Sequence, residues 1–319
     1  MPAHGISRRG FCLCCLGAVQ ASAQGWLTPR AAYAEARGLV SLIKDSAAVA
    51  PIAIHKLRGN VSALEGSGGN IAVLTGSDGK VLIDGGIRVS QPQLTKALAE
   101  LGGDPISHLV NTHWHFDHAD GNEWLHAAGA KIIAQENTRK YLSQVQRVED
   151  WDYNFLPLGA GGIPDEVFSN ERTFQLNGTK LALKHYGPAH TDSDISAHFS
   201  EFDILHVGDT FWNGIYPFID YSTGGSIDGM IAACRANLSV ATNDTIIIPG
   251  HGHPVSNRAE LNDFTDMLVV VRDNVARLKK QGLNREEIIA AKPTASFDAK
   301  YGNFVIDPAF FTRLVFEGV

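Results

Sequence analysis

Thr112-His113-Trp114-His115-Phe116-Asp117-His118 (residues 112–118) is the stretch from which the rest of the chain is read. It follows Ser107–Asn111, which reads as a strand, and precedes Asn122–Ala128, which reads as a helix. In extended chain the side chains alternate with period two, so His113 and His115 point to one side and can share a cation. Asp117 and His118 lie where the chain turns into the helix and can face a neighbouring position. Neutral imidazole and carboxylate are zinc ligands, and zinc takes about four of them at roughly 2.0–2.2 Å, so one such cluster cannot close two shells. With 13 His and 21 Asp in 319 residues, the His-x-His-x-Asp-His window arises by chance about once in a thousand such sequences.

The missing ligands are sought just past other strand-like runs. Gly187-Pro188-Ala189-His190-Thr191-Asp192 follows Lys180–Tyr186, Gly208-Asp209-Thr210 follows Ile204–Val207, and Pro249-Gly250-His251-Gly252 follows Thr245–Ile248. Each places one potential ligand at a strand's carboxyl end, where a packed sheet offers a common mouth. Val61–Leu64, Asn70–Thr75 and Lys80–Asp84 read as strands after a polar lead-in, the last two joined by Ser77-Asp78-Gly79. Gln91–Leu101 reads as a helix, Lys131–Ala134 as a strand, Glu136–Val145 as a helix, and Trp151–Phe168 as a long ordered loop. Thr173–Leu176 then pairs with Lys180–Tyr186 through the hairpin signal Asn177-Gly178, followed by strands Ile195–Ser200 and Ile204–Val207 and a helix Ile227–Leu238. Both halves run from antiparallel strands into strand–helix alternation, which predicts an α/β fold of two similar layers packed face to face with helices outside. From Ala259 onward the pattern is helical, with Leu268, Val271, Val275 and Leu278 on one face.

These residues resemble the metallo-β-lactamase superfamily of metallohydrolases, over about Asn60 to Pro254, with its five motifs in order: Asp84, the His-x-His-x-Asp-His segment, His190, Asp209 and His251. The resemblance implies a four-layer αββα sandwich, here with a helical C-terminal extension. It also implies two zinc ions per chain: His113, His115 and His190 would hold one, Asp117, His118 and His251 the other, and Asp209 would bridge them. Asp84 would hydrogen-bond the ligand loop from behind. By the same resemblance a metal-bridging hydroxide attacks the substrate, one ion polarises its carbonyl, and Asp117 is the catalytic residue that protonates the leaving group. Manganese or iron also suits a mixed His/Asp set.

The 27 Lys+Arg against 34 Asp+Glu, a net charge of −7, carry no basic block in the body of the chain, which argues against nucleic acid as a partner. An apolar fraction of 44% is ample for a core. Ser7-Arg8-Arg9-Gly10-Phe11-Cys12 opens an apolar run to Val19 that is too short to span a bilayer. It resembles a bacterial twin-arginine export signal, with Ala32-Tyr33-Ala34 as cleavage site and Ala21-Ser22-Ala23 competing. The expected organisation is therefore a leader at residues 1–34, a metallo-β-lactamase-like domain at 35–258 and a helical extension at 259–319 packed on it. The expected location is periplasmic or secreted, with no membrane contact in the mature form. Cleavage after Ala34 removes Cys12, Cys14 and Cys15 and leaves Cys234, so no intramolecular disulfide forms.

Trp114, Phe116, Trp212 and Tyr216 flank the ligand loops and are the expected substrate pocket, with His253 at its mouth and the Trp151–Phe168 loop as a lid. Asp209 stands where cysteine-using β-lactamases of the superfamily carry their cysteine, so the chain looks more like the lactonase and thioesterase branches. The expected function is hydrolysis of a small ester, lactone, thioester or lactam. Alternatives are a β-lactamase proper, a hydrolytic dehalogenase of an activated aromatic, and, outside catalysis, a zinc-binding protein.

Overall fold

The computed structural model describes residues 38–66 and 68–319. The leader read at residues 1–34 lies outside the described residues. Along the chain run helix α1 (Leu39–Ala47) and strands β1 (Ala53–Lys56), β2 (Val61–Glu65), β3 (Ile71–Leu74) and β4 (Lys80–Ile83). Next come α2 (Gln91–Glu100), β5 (Ile106–Val110), the single turn α3 (Phe116–Ala119), α4 (Asn122–Ala127), β6 (Lys131–Gln135) and α5 (Glu136–Leu142). β7 (Gln146–Val148), β8 (Tyr153–Phe155), β9 (Glu166–Phe168), β10 (Glu171–Leu176), β11 (Thr179–His185), β12 (Ile195–Phe199), β13 (Ile204–His206) and β14 (Trp212–Asn213) follow. The chain ends with α6 (Ile227–Val240), β15 (Ile246–Ile248), β16 (His251–Gly252), α7 (Arg258–Lys280), α8 (Arg285–Ala290), α9 (Asp298–Tyr301) and α10 (Pro308–Glu317).

One sheet has the order β1-β2-β3-β4-β5-β6-β9 and the other β10-β11-β12-β13-β15. Period-two alternation divides the first sheet's side chains between two layers. Val61, Ala63, Ala72, Leu74, Val81, Ile83, Val110 and Ile133 meet Leu181, Leu183, Ile195, Ala197 and Phe199 of the second sheet. Their neighbours Leu64, Ile71, Val73, Leu82, Leu109 and Ile132 face outward onto Leu94, Leu98 and Leu125 of α2 and α4. The outer face of the second sheet, with Leu205 and Ile247, is covered by Ile227, Met230 and Cys234 of α6 and Phe264 and Leu268 of α7. The result is the expected four-layer αββα sandwich with a helical C-terminal part.

Strand direction places the site. β4, β5 and β6 are mutually parallel, and β13 is parallel to β15 while β12 separates β11 and β13 as antiparallel neighbours. The segments after β4, β5, β11, β13 and β15 therefore leave the two sheets at shared edges, and each carries one or more of the residues singled out above. The β10–β11 turn has φ 51° at Asn177 and 82° at Gly178, the two left-handed residues of a type I′ hairpin. Asn177 Nδ2 also donates to Gly79 O at 2.7 Å, tying this turn to the hairpin of the facing sheet.

Three expectations need correction. The lead-in before Val61 contains α1 and β1. β1 is an edge strand with no buried residue, so it lacks the apolar alternation that marks a strand in sequence. The helix from Glu136 stops at Leu142 instead of running to Val145, because Gln146–Val148 pairs with β8. Trp151–Phe168 is only partly loop: it supplies β8, and its last three residues join the first sheet beside β6. No helix among the described residues is long and apolar enough to cross a membrane.

Candidate metal centre

Seven of the singled-out side chains converge. In each of two groups, His113, His115, His190 and Asp209, and Asp117, His118 and His251, one ligand atom per residue lies within 4.8 Å of the others, and every member is buried. Asp209 stands between the groups. One carboxylate oxygen is 3.4 Å from His190 Nε2, 3.9 Å from His113 Nε2 and 3.2 Å from His251 Nε2, and the other is 3.1 Å from His118 Nε2. Asp117 Oδ2 is 3.2 Å from His251 Nε2.

Local backbone explains how neighbouring residues serve different groups. Residues 112–114 bend instead of extending β5, and His115 turns into α3, whose first bonds run from His118 N and Ala119 N to His115 O. His113 and His115 thus reach the same group without lying in a strand. Two glycines permit the approach of the other loops: a β-carbon on Gly250 would fall 2.0 Å from Asp209 Oδ1, and one on Gly69 2.2 Å from the His118 ring.

The tautomers follow from the outer hydrogen bonds. The Asp84 carboxylate accepts from Thr112 N at 2.7 Å, from Thr112 Oγ1 at 2.8 Å and from His118 Nδ1 at 2.7 Å. Because the Thr112 hydroxyl spends its proton on Asp84, it accepts from His113 Nδ1 at 3.0 Å. His190 Nδ1 donates to Phe218 O at 2.8 Å, and His115 Nε2 donates to Asp220 Oδ2 at 3.0 Å. Three imidazoles therefore turn an unprotonated nitrogen inward, Nε2 of His113 and His190 and Nδ1 of His115, while His118 turns its Nε2 toward Asp209. His190 Nε2 and His115 Nδ1 face each other at 2.9 Å, while buried His113 Nε2 has no hydrogen-bond partner. Lone pairs aimed at lone pairs and carboxylates in a dry interior are satisfied by cations, so this donor set fits metal ions.

The electrostatics agree. Burial holds His113 well below its ordinary pKa and His190 at about 4, keeping both neutral. Burial also opposes charge on His118 and His251, but the carboxylates outweigh it: His118 is raised well above the ordinary value and His251 to about 9. Asp209 is held well below the carboxylate range and Asp117 at about 2, since the surrounding imidazoles overcome the cost of burial. Protons held on His118 and His251 by these carboxylates are what a dication would replace.

Asp220 is the functional residue the sequence reading missed. Besides His115 it accepts from Thr223 Oγ1 at 2.7 Å, and Thr223 Oγ1 in turn accepts from Trp114 Nε1 at 3.1 Å. Its signal in the sequence is slight: an acid closing the apolar run Tyr216–Ile219, as Asp84 closes Val81–Ile83. Asp220→Ala is expected to weaken metal binding at the His113/His115/His190 group about 10–100-fold and to spare the other group. A chelator-competition titration that showed both ions equally weakened, or neither, would count against this role.

The expected pocket residues part company. Trp212 pairs with His251 between β14 and β16, and its ring lies 4.2 Å from the His251 ring. Phe116 stacks on Phe155 at 5.4 Å, and Trp114 meets the same ring edge-on. Tyr216 is not in a pocket: it is fully buried, stacked on Phe311 of α10, and its hydroxyl donates to Asp298 Oδ1 at 2.9 Å. His253 is exposed, and its Nδ1 lies 3.0 Å from Val255 O, outside both groups of converging ligands. Buried His206, between Asn70 O and Gly208 N, braces the loop that carries Asp209. The Cys234 thiol is buried and pushed up to about 12, which removes it as a nucleophile.

Residues 64–273 match the sequence profile of the metallo-beta-lactamase superfamily. The chain is 34% identical over 113 residues to a hydroxyacylglutathione hydrolase of Erythrobacter litoralis, covering 35% of this chain and 37% of that protein. It spans between 37% and 55% of the length of three such curated relatives. In three dimensions it is similar to a metallo-beta-lactamase from Pontibacter korlensis, with TM-score 0.54, 19% identity, and 68% of this chain and 98% of that one covered. It is also similar to a sec-alkylsulfatase from Pseudomonas sp., with TM-score 0.62, 17% identity, and 83% and 50% covered.

Proposed function

The chain belongs to the metallo-beta-lactamase superfamily, and from that membership we propose that it is a dinuclear zinc hydrolase of small esters or thioesters, with lactones and lactams as related substrates. The observation that carries this reading is the inward-facing ring of unprotonated imidazole nitrogens around Asp209. The relatives' name supports the bond type, because an acylglutathione is a thioester.

His113, His115 and His190 would hold one ion, Asp117, His118 and His251 the other, with Asp209 shared. Bound there, zinc supplies a water of near-neutral pKa and a Lewis acid for the scissile carbonyl. The protein's own part is positional. Asp84, Thr112, Phe218 O and Asp220 fix the imidazole orientations, so the donor set is pre-organised before substrate arrives. Asp117 and His251 are the members of the cluster with the most exposed side chains, at 12% and 10%, so the reacting bond approaches from their side. Asp117 stays ionised at neutral pH, so its Oδ2 accepts a hydrogen bond from the attacking water and relays that proton to the leaving group.

The test is a hydrolysis screen of the zinc-loaded protein on aryl esters, acyl thioesters, acyl-homoserine lactones, nitrocefin and an activated chloroarene, with metal counted on the same sample. The expected result is ester or thioester turnover that a chelator abolishes and zinc restores. Turnover that survives complete removal of metal would end the proposal; cleavage of the chloroarene alone would replace the substrate class with dehalogenation.

A further inference from the structure

Beside the metal-binding loop lies a groove of about 650 Å³, within the range of roughly 300–1,000 Å³ typical of small-molecule sites. Phe116, Trp114, Tyr153, Phe155, Leu156 and Val89 are among the side chains that line it. Apolar side chains dominate it, and two stand open to solvent: Leu156 is 74% exposed and Val89 39%. The groove's cations are already matched, Lys44 and Arg88 lying 3.8 and 3.9 Å from Asp120 and Arg88 a further 3.0 Å from Glu123. Nothing in this lining calls for an anion.

The groove lies beside the metal-binding loop: two of its lining residues, Trp114 and Phe116, alternate along the chain with His115 and Asp117. Phe116 is bonded to Asp117, and Arg88 and Val89 follow Ile87. A β-carbon on Gly68 would lie 3.2 Å from Ile87 and 3.3 Å from Asp117, so these two side chains flank one backbone point. The Trp151 ring, 5.3 Å from His115 and 6.0 Å from both Phe116 and Phe155, spans from the imidazoles to the groove wall. We propose that this groove receives an apolar acyl or aryl arm of the substrate while the scissile bond lies at Asp117. The assignment rests on the hydrolase reading above and narrows its substrates to those with a sizeable apolar arm on one side of the cleaved bond.

The experiment compares acetyl and decanoyl thioesters on the zinc-loaded protein. Wild type is expected to prefer decanoyl by about tenfold or more in kcat/KM, and Val89→Asp/Leu156→Asp to lower that ratio by about tenfold, mainly through the decanoyl KM. Val270→Asp, on the exposed side of α7, serves as the surface control and leaves the ratio unchanged. Decanoate binding, followed by tryptophan emission, is measured alongside in all three proteins. A chain-length preference absent in wild type, or untouched by the double variant, overturns the groove assignment. If no thioester is cleaved but decanoate binds to wild type and not to the double variant, the groove stands and the thioester reading falls. If thioesters are cleaved without regard to length and decanoate does not bind, the groove alone falls.

Discussion

Asp209→Ala is expected to reduce metal content from two ions towards one per chain and to lower turnover at least about a hundredfold, the upper end for losing a partner one bond further out. Asp209 is the carboxylate that approaches both groups, at 3.1 Å from His118, 3.2 Å from His251 and 3.4 Å from His190. Without it the first group keeps three imidazoles and the second keeps Asp117, His118 and His251, and no anion screens one dication from the other. The variant also removes the largest source of positive-charge stabilisation on His118 and His251. Metal is counted by elemental analysis after exhaustive dialysis. Two tightly held ions in the folded variant would remove Asp209 from its place between the groups.

For Asp84→Ala the expected loss is in stability first. The side chain is fully buried and accepts three hydrogen bonds, so truncation strands Thr112 N, Thr112 Oγ1 and His118 Nδ1. Each buried orphan costs about 1–3 kcal/mol. Asp84 also sits at φ 71°, where alanine is disfavoured by about 1–2 kcal/mol and asparagine is tolerated. Together these predict a destabilisation on the order of 4 kcal/mol or more, read as a lower urea midpoint of the metal-free protein. Asp84→Asn separates the two roles: it keeps the backbone conformation and an acceptor for Thr112 N, but sets an amide donor against the donors of Thr112 and His118. Its stability falls less, while metal affinity at the His118 group falls about 10–100-fold. Unchanged affinity in the asparagine variant would show that Asp84 holds the fold and has no hand in orienting His118.

Much of the fold was written in local pattern. Ile71–Leu74 and Lys80–Ile83 lie within short apolar runs that read as strands, and Asn177-Gly178 announced a turn that takes left-handed φ at both residues. β1 escaped because an exposed edge strand has no apolar period. β9 escaped because three residues pairing in parallel with β6, 33 positions away, leave no local trace. Tyr216 was misread for a related reason: an aromatic next to a ligand loop looks the same whether it faces a ligand or α10, and only the packing of the C-terminal helices decides.

The sequence by itself determined the donor types, their spacing after strand ends and the two-sheet sandwich that gathers them, because these depend on periods of two and 3.6 within a short stretch. Only the tertiary structure decided which nitrogen of each histidine faces inward, since that is set by partners remote along the chain, 34 positions away for Asp84 and His118 and 105 for His115 and Asp220. A tautomer is chosen by an acceptor's position in space, and acceptor positions across packed sheets have no period in the sequence.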